Sequence, residues 1–269
     1  MAELLPVVIL MMAVGAFAGV LAGLLGVGGG IVLVPAFFYA FAYFGYDNPQ
    51  IMQICLATSL ATIVVTSLRS VHAHNKKGAV DWDILRGWAI GIAIGALIGV
   101  WIVAGLRSDF LVGVFGVLAI IVGLYMGFGK PEWRLGDGMP TGPLRIILAP
   151  ILGFFSVLMG IGGGSFGVPL LTLYGQAIHR AVATAAGFGV IIAVPSVLGF
   201  LLGQPPEMSL PPYMLGYVHL PTFALVIVMT FITTPFGVSL AHRLNVKMLR
   251  RVFAVFLVLV ALNMLRQVI

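Results

Sequence analysis

The chain alternates long apolar runs with short polar turns. The runs cover 4–25, 31–45, 50–70, 84–105 and 109–128, and then 144–159, a short piece reaching Tyr174, 181–203, 214–240 and 248–268. A bilayer core requires about 20 apolar residues of a helix that crosses it. Most runs meet that length, and the turns between them are too brief to hold a soluble domain. The pattern predicts an all-α polytopic membrane protein with a single membrane domain over 1–269. The piece 31–45, ending at Gly45-Tyr46-Asp47-Asn48-Pro49, is the odd one. At about 1.5 Å per residue it reaches roughly 20 Å, short of the roughly 30 Å of hydrocarbon, so it predicts a half-helix that relies on a partner to finish the crossing.

The residues around that short piece occur twice. Gly26-Val27-Gly28-Gly29-Gly30 with Val34-Pro35 returns as Gly160-Ile161-Gly162-Gly163-Gly164 with Val168-Pro169. Agreement begins earlier, at Gly19 against Gly153 and Leu24 against Leu158, which marks an internal repeat rather than a chance run of glycines. Downstream, Ala57-Thr58-Ser59 answers to Ala183-Thr184-Ala185. A first repeat over 1–128, a Pro- and Gly-rich linker over 129–143 and a second repeat over 144–269 follow. Each repeat reads as a Gly-broken, re-entrant-like helix hairpin plus three transmembrane helices. Glycines four apart, at Gly15, Gly19 and Gly23 and at Gly87, Gly91, Gly95 and Gly99, predict faces where helices approach closely.

Composition agrees, with 61% hydrophobic residues against 8% charged and a mean hydropathy of +1.16, values that belong to a membrane chain. The net charge of +6 would suit nucleic acid, but Lys and Arg sit at the ends of apolar runs instead of forming a patch. They report topology, and no nucleic-acid partner is expected. The loop after the Thr58 run holds Arg69, His72, His74, Lys76 and Lys77, whereas its counterpart over 203–212 has Glu207 and no Lys or Arg. Ala241 to Arg251 is rich in basic residues, whereas its counterpart has Arg107 alone. Corresponding loops therefore face opposite sides, which makes the repeats inverted, with the linker cytoplasmic and both termini outside. The start carries Glu3 without Lys or Arg, so the first segment is expected to stay attached rather than act as a cleaved signal.

Inverted discontinuous hairpins point to a binding site near the midplane of a secondary transporter. Glycine turns leave backbone N–H groups open, and half-helices starting near Ile31 and Ser165 direct their positive ends there, which suits a small anion. The substrate-binding candidates are Gly26, Gly28, Gly29 and Gly30, Thr58 and Ser59, Gly160, Gly162, Gly163 and Gly164, Ser165 and Thr184. The threonine hydroxyls would donate to an oxyanion or bond back to their own helix carbonyls. Pro35 and Pro169 are hinge or kink positions. Arg69, His72, His74 and Arg180 are gate candidates, or else interfacial anchors. Asp81-Trp82-Asp83 reads as a helix cap with an interfacial aromatic. His72 and His74 are two apart and Cys55 stands alone, so neither a metal site nor a disulfide is expected. No HExxH and no P-loop occurs, which argues against an enzyme and against any cofactor.

The double glycine-proline signature, with Ala57-Thr58-Ser59, Ala183-Thr184 and His74 through Trp82, resembles the TauE/SafE family of sulfite exporters over essentially the whole chain. The resemblance implies a multi-pass inner-membrane carrier of sulfite, thiosulfate or small sulfonated organic anions, usually exporting. One departure is Ala185 where the first copy has Ser59. Two other readings stay open, a transporter of a cation or neutral solute and a non-transporting scaffold or accessory subunit. Small-residue faces serve internal and subunit packing alike, so a homo-oligomer is also left open.

Overall fold

The computed structural model describes residues 4–25, 28–46, 48–129, 133–206, 210–241 and 246–267. Among them are ten helices: α1 (Leu4–Leu25), α2 (Gly30–Tyr43), α3 (Ile51–Asn75), α4 (Trp82–Ala104), α5 (Ser108–Phe128), α6 (Gly142–Leu158), α7 (Gly164–Leu173), α8 (Ile178–Leu202), α9 (Leu220–Ala241) and α10 (Val246–Leu265). Five of these, α3, α4, α5, α8 and α9, are long and apolar enough to cross a membrane. α2 has 14 residues and α7 has 10. At 1.5 Å per residue these reach about 21 and 15 Å, so neither crosses alone.

The expected run over 214–240 divides into two parts. Met214–Leu215 (β1) and Val218–His219 (β2) pair as a small antiparallel hairpin, and helix begins only at Leu220. Pro211 and Pro212 break the chain ahead of it, and Gly216 turns the hairpin at φ 54°, in the left-handed region. At the other end of the turn from α3, Asp81 caps α4 by accepting from Ile84 N at 3.2 Å, and the exposed Trp82 donates to Asn75 Oδ1 at 2.9 Å. The cap expected at this stretch is present.

α3 is the central helix, buried along most of its length, and it packs on α8. The other contacts come in matched pairs, most of them between the two halves of the chain. α1 packs on α9 as α6 packs on α4, α2 lies on α3 as α7 lies on α8, α9 meets α3 as α4 meets α8, and α5 pairs with α10. The glycine ledges make the first of these contacts. A Cβ on Gly15 would lie 3.0 Å from Val226 Cα, and one on Gly95 would lie 2.6 Å from Pro150 Cα. Small residues at this spacing let the backbones touch.

Relative directions follow from named contacts. Thr58 meets His219 at the start of α9, and Arg69 lies over Phe231 further along, so α3 and α9 run parallel. α3 and α8 run opposite ways. The turn after α3 meets the start of α8, where Arg180 pairs with Asp81 at 3.1 Å. The start of α3 meets the chain after α8, where Tyr217 OH donates to Gln50 Oε1 at 2.6 Å and Asn48 Nδ2 donates to the Pro206 carbonyl at 3.3 Å.

Candidate functional site

The two glycine turns meet at the centre of the molecule. A Cβ on Gly28 would stand 3.3 Å from Gly162 Cα, and one on Gly30 would stand 2.9 Å from Ile161 Cα, so the two backbones approach closely, with the Ile63 side chain packed against both glycines. Gly28 and Gly29 hold φ of 73° and 80° and Gly160 holds 58°. Only glycine adopts these angles without strain. Gly28 to Gly30 and Gly160 to Gly164 are all buried, while Gly26 lies outside the described residues.

The polar groups of the turns are divided in use. α3 donates to one carbonyl of each turn: Ser59 Oγ to Gly160 O at 2.7 Å and Thr66 Oγ1 to Gly28 O at 3.1 Å. The Gly163 carbonyl accepts from Gly167 N at 2.6 Å. The amides from Gly162 through Phe166, by contrast, find no acceptor among the described residues. Ser165, on the first turn of α7, is 1% exposed, and its Oγ has no partner. Ser156, near the end of α6 that leads into this turn, is likewise buried with an unpartnered hydroxyl. Buried polar groups are almost always paired, so the open positions at the head of α7 form an unsatisfied set of donors. A set of amide donors at a helix N-terminus suits an anion.

The matched threonines each use the hydroxyl oxygen as an acceptor. Thr58 Oγ1 accepts from His219 N at 3.0 Å, and Thr184 Oγ1 accepts from Asp81 N at 3.0 Å. Each holds the backbone just ahead of the next helix from the other half, α9 in one case and α4 in the other. Pro35 and Pro169 lie inside α2 and α7.

The four gate candidates lie at separate places. The Arg69 guanidinium lies 4.0 Å from the centre of the Phe231 ring, and its Nε is buried without an acceptor. His72 is exposed, whereas His74 is buried with Nε2 3.3 Å from Gly23 O. Arg180 sits in the ion pair with Asp81. Among the described residues no three His, Cys, Asp or Glu side chains gather in a way that would hold a metal.

Thr66, Ser67 and Ser70 were not singled out from the sequence, yet they stand 7, 8 and 11 positions after Ser59 on one helix. That helical spacing inside an apolar run was the available signal. His219, buried with Nδ1 2.7 Å from Thr222 Oγ1 and edge-on to Phe41, gave no such signal because its hairpin was read as helix.

This fold, with apolar helices around a central crossing of two glycine turns, is that of a polytopic membrane protein, and comparison with known proteins makes it a transporter. The sulfite exporter TauE/SafE family model matches residues 11–264, and the chain belongs to that family. It is similar to a probable membrane transporter protein of Haemophilus influenzae, 33% identical over 96% of this chain and 97% of the relative. A probable membrane transporter protein of Methanocaldococcus jannaschii is 27% identical over 97% of this chain and 96% of its own. Another, YunE of Bacillus subtilis, is 28% identical over 61% of this chain and 67% of its own. No solved structure matches the chain. The protein is a transporter of the inner membrane and not an enzyme.

Proposed function

We propose that the chain is a secondary transporter of a small oxyanion, held where the glycine turns meet and carried outward by rocking of two inverted repeats. The observation that carries this reading is the division of polar groups. One carbonyl of each turn is taken by a hydroxyl of α3, Gly160 O by Ser59 and Gly28 O by Thr66, while the amides from Gly162 to Phe166 and the Ser165 hydroxyl are open. A cation would need the carbonyls and an anion needs the donors, so the arrangement favours the anion. The inverted arrangement is supported by direction. α9 runs parallel to α3, whereas α4, which holds the same place in the first half, leaves α3 through the short turn 76–81 and reverses. The basic end of α3 and Arg180 of α8 share one side, which the positive-inside tendency makes cytoplasmic.

A sulfur-containing anion such as sulfite, thiosulfate or an organosulfonate, moved in the export direction, is suggested by the family's description alone. Proteoliposomes loaded with each of these anions test it. Flux above that of empty liposomes is the expected result, and none for any of them would remove the sulfur assignment. Flux of a cation under the same conditions would remove the anion reading as a whole.

A further inference from the structure

Hydroxyls in these membrane helices usually bond to the carbonyl one turn back. Thr62 donates to Thr58 O, Thr172 to Val168 O, Ser196 to Ile192 O and Thr234 to Thr230 O. Ser67 and Ser70 of α3 do not. Each is 1% exposed and has no partner for its oxygen. A helix offers such a hydroxyl its own carbonyl at no distance, so two departures one turn apart on the same helix call for another partner.

Their position supplies one. The Gly189 Cα on α8 is bare at the point where a Cβ would collide with Ser67 Oγ and would stand 3.4 Å from Gly163 N. Ser67 of the first half and the open amide of the second-half turn therefore border the same small space. One turn further towards the end of α3 comes Ser70, and one more turn brings His74, beyond which the exposed Lys76 and Lys77 meet the aqueous phase. The register set by Thr58 and Thr184 puts Ala193, Ser196 and Phe200 at the matching positions of α8. Ser196 there is bonded back to its own helix, and Phe200 is fully buried. The polar line exists on one side of the glycine crossing only.

We propose that Ser67 and Ser70 line the path by which the anion passes between the glycine crossing and the basic end of α3, with Ser67 touching the anion while it is bound at the second turn. The proposal rests on the anion reading for the nature of the cargo, but the path itself does not. It is tested with single cysteines, Ser67→Cys, Ser70→Cys and Ser196→Cys, in a Cys55→Ala background that removes the one native thiol. Vesicles are treated with a sulfonate-bearing methanethiosulfonate and with its trimethylammonium analogue. The expected result is that cysteines at 67 and 70 react with the sulfonate reagent at least tenfold faster than the cysteine at 196, from the side of Lys76 and Lys77. Rates no faster than at 196 overturn the path.

Sulfoacetate, which leaves disulfides intact as sulfite does not, is then added as protectant. Protection at 67 supports the shared site, and labelling without protection by this or any inert anion keeps the path while removing the anion as its cargo. Radiolytic footprinting of the unsubstituted chain gives the reading that needs no variant to fold. Water in the path exposes His74 to oxidation at a normalised rate at least tenfold above that of Phe200, and equal rates overturn the proposal.

Discussion

Removing the Ser165 hydroxyl is expected to move stability and affinity in opposite directions. The hydroxyl is buried at the head of α7 with no partner in the unliganded protein, and an unsatisfied buried polar group costs about 1–3 kcal/mol. Ser165→Ala discards that cost and leaves a void of one oxygen atom, so the thermal midpoint of the ligand-free protein should hold or rise. A bound oxyanion would accept from the same hydroxyl. A hydrogen bond to a charged group is worth about 1.5–3 kcal/mol, and at about 1.4 kcal/mol per tenfold the variant should lose roughly 10- to 150-fold in anion affinity. Differential scanning fluorimetry in detergent without ligand, and calorimetric titration with thiosulfate or sulfoacetate, read the two quantities separately. A lower midpoint together with unchanged affinity would show that Ser165 is a packing residue, and the donor set at α7 would lose its side-chain member.

Other substitutions follow from the same contacts. Ser59→Ala takes the only described donor from the Gly160 carbonyl and should destabilise by about 1–3 kcal/mol, read as a lowered melting midpoint. Gly95→Ala drives a methyl into the Pro150 backbone, with an expected loss of about 1–3 kcal/mol or more, whereas Gly113→Ala on α5 meets nothing within 4 Å and should be neutral or gain up to about 1 kcal/mol from helix propensity. Fluorescence-detected gel filtration after heating separates that pair, and equal losses would refute the packing argument. Asp81→Asn removes the ion pair with Arg180 but keeps the acceptor that caps α4. It should cost no more than about 1 kcal/mol, since Arg180 is about half exposed, and that cost should vanish in high salt. Asp81→Ala loses the cap as well and should cost about 1 kcal/mol more, independent of salt.

The fold was largely legible because bilayer physics writes itself into composition. Helix length, apolar runs and the basic end of α3 could be counted before any coordinates were known. The glycine repeat was legible for the same reason, since consecutive glycines inside an apolar hairpin have no cheap structural excuse. What could not be read was the pairing of polar groups. Thr58 and Thr184 were recognised as matched, but a hydroxyl carries both a donor and an acceptor, and which is used depends on where His219 and Asp81 arrive. Thr66, Ser67 and Ser70 are ordinary residues for a membrane helix. They become informative only when Thr66 is seen to serve Gly28 and the two serines to serve nothing. The hairpin over 214–219 was hidden by its own apolarity, because two short strands and the start of a helix look alike when every residue is greasy.

The exchange of partners between the halves has a consequence for how the chain is made. α1 rests on α9, and the Thr233 hydroxyl that bonds to the Ala16 carbonyl comes 217 residues later in synthesis. The glycine ledge of the first helix must wait in the membrane, covered only by lipid or by the insertion machinery, until nearly the whole polypeptide has emerged. α6, by contrast, finds α4 already in place. Biogenesis therefore closes late and around its first segment, and a ribosome stalled before α9 would leave every upstream helix inserted and the protein still open along one side.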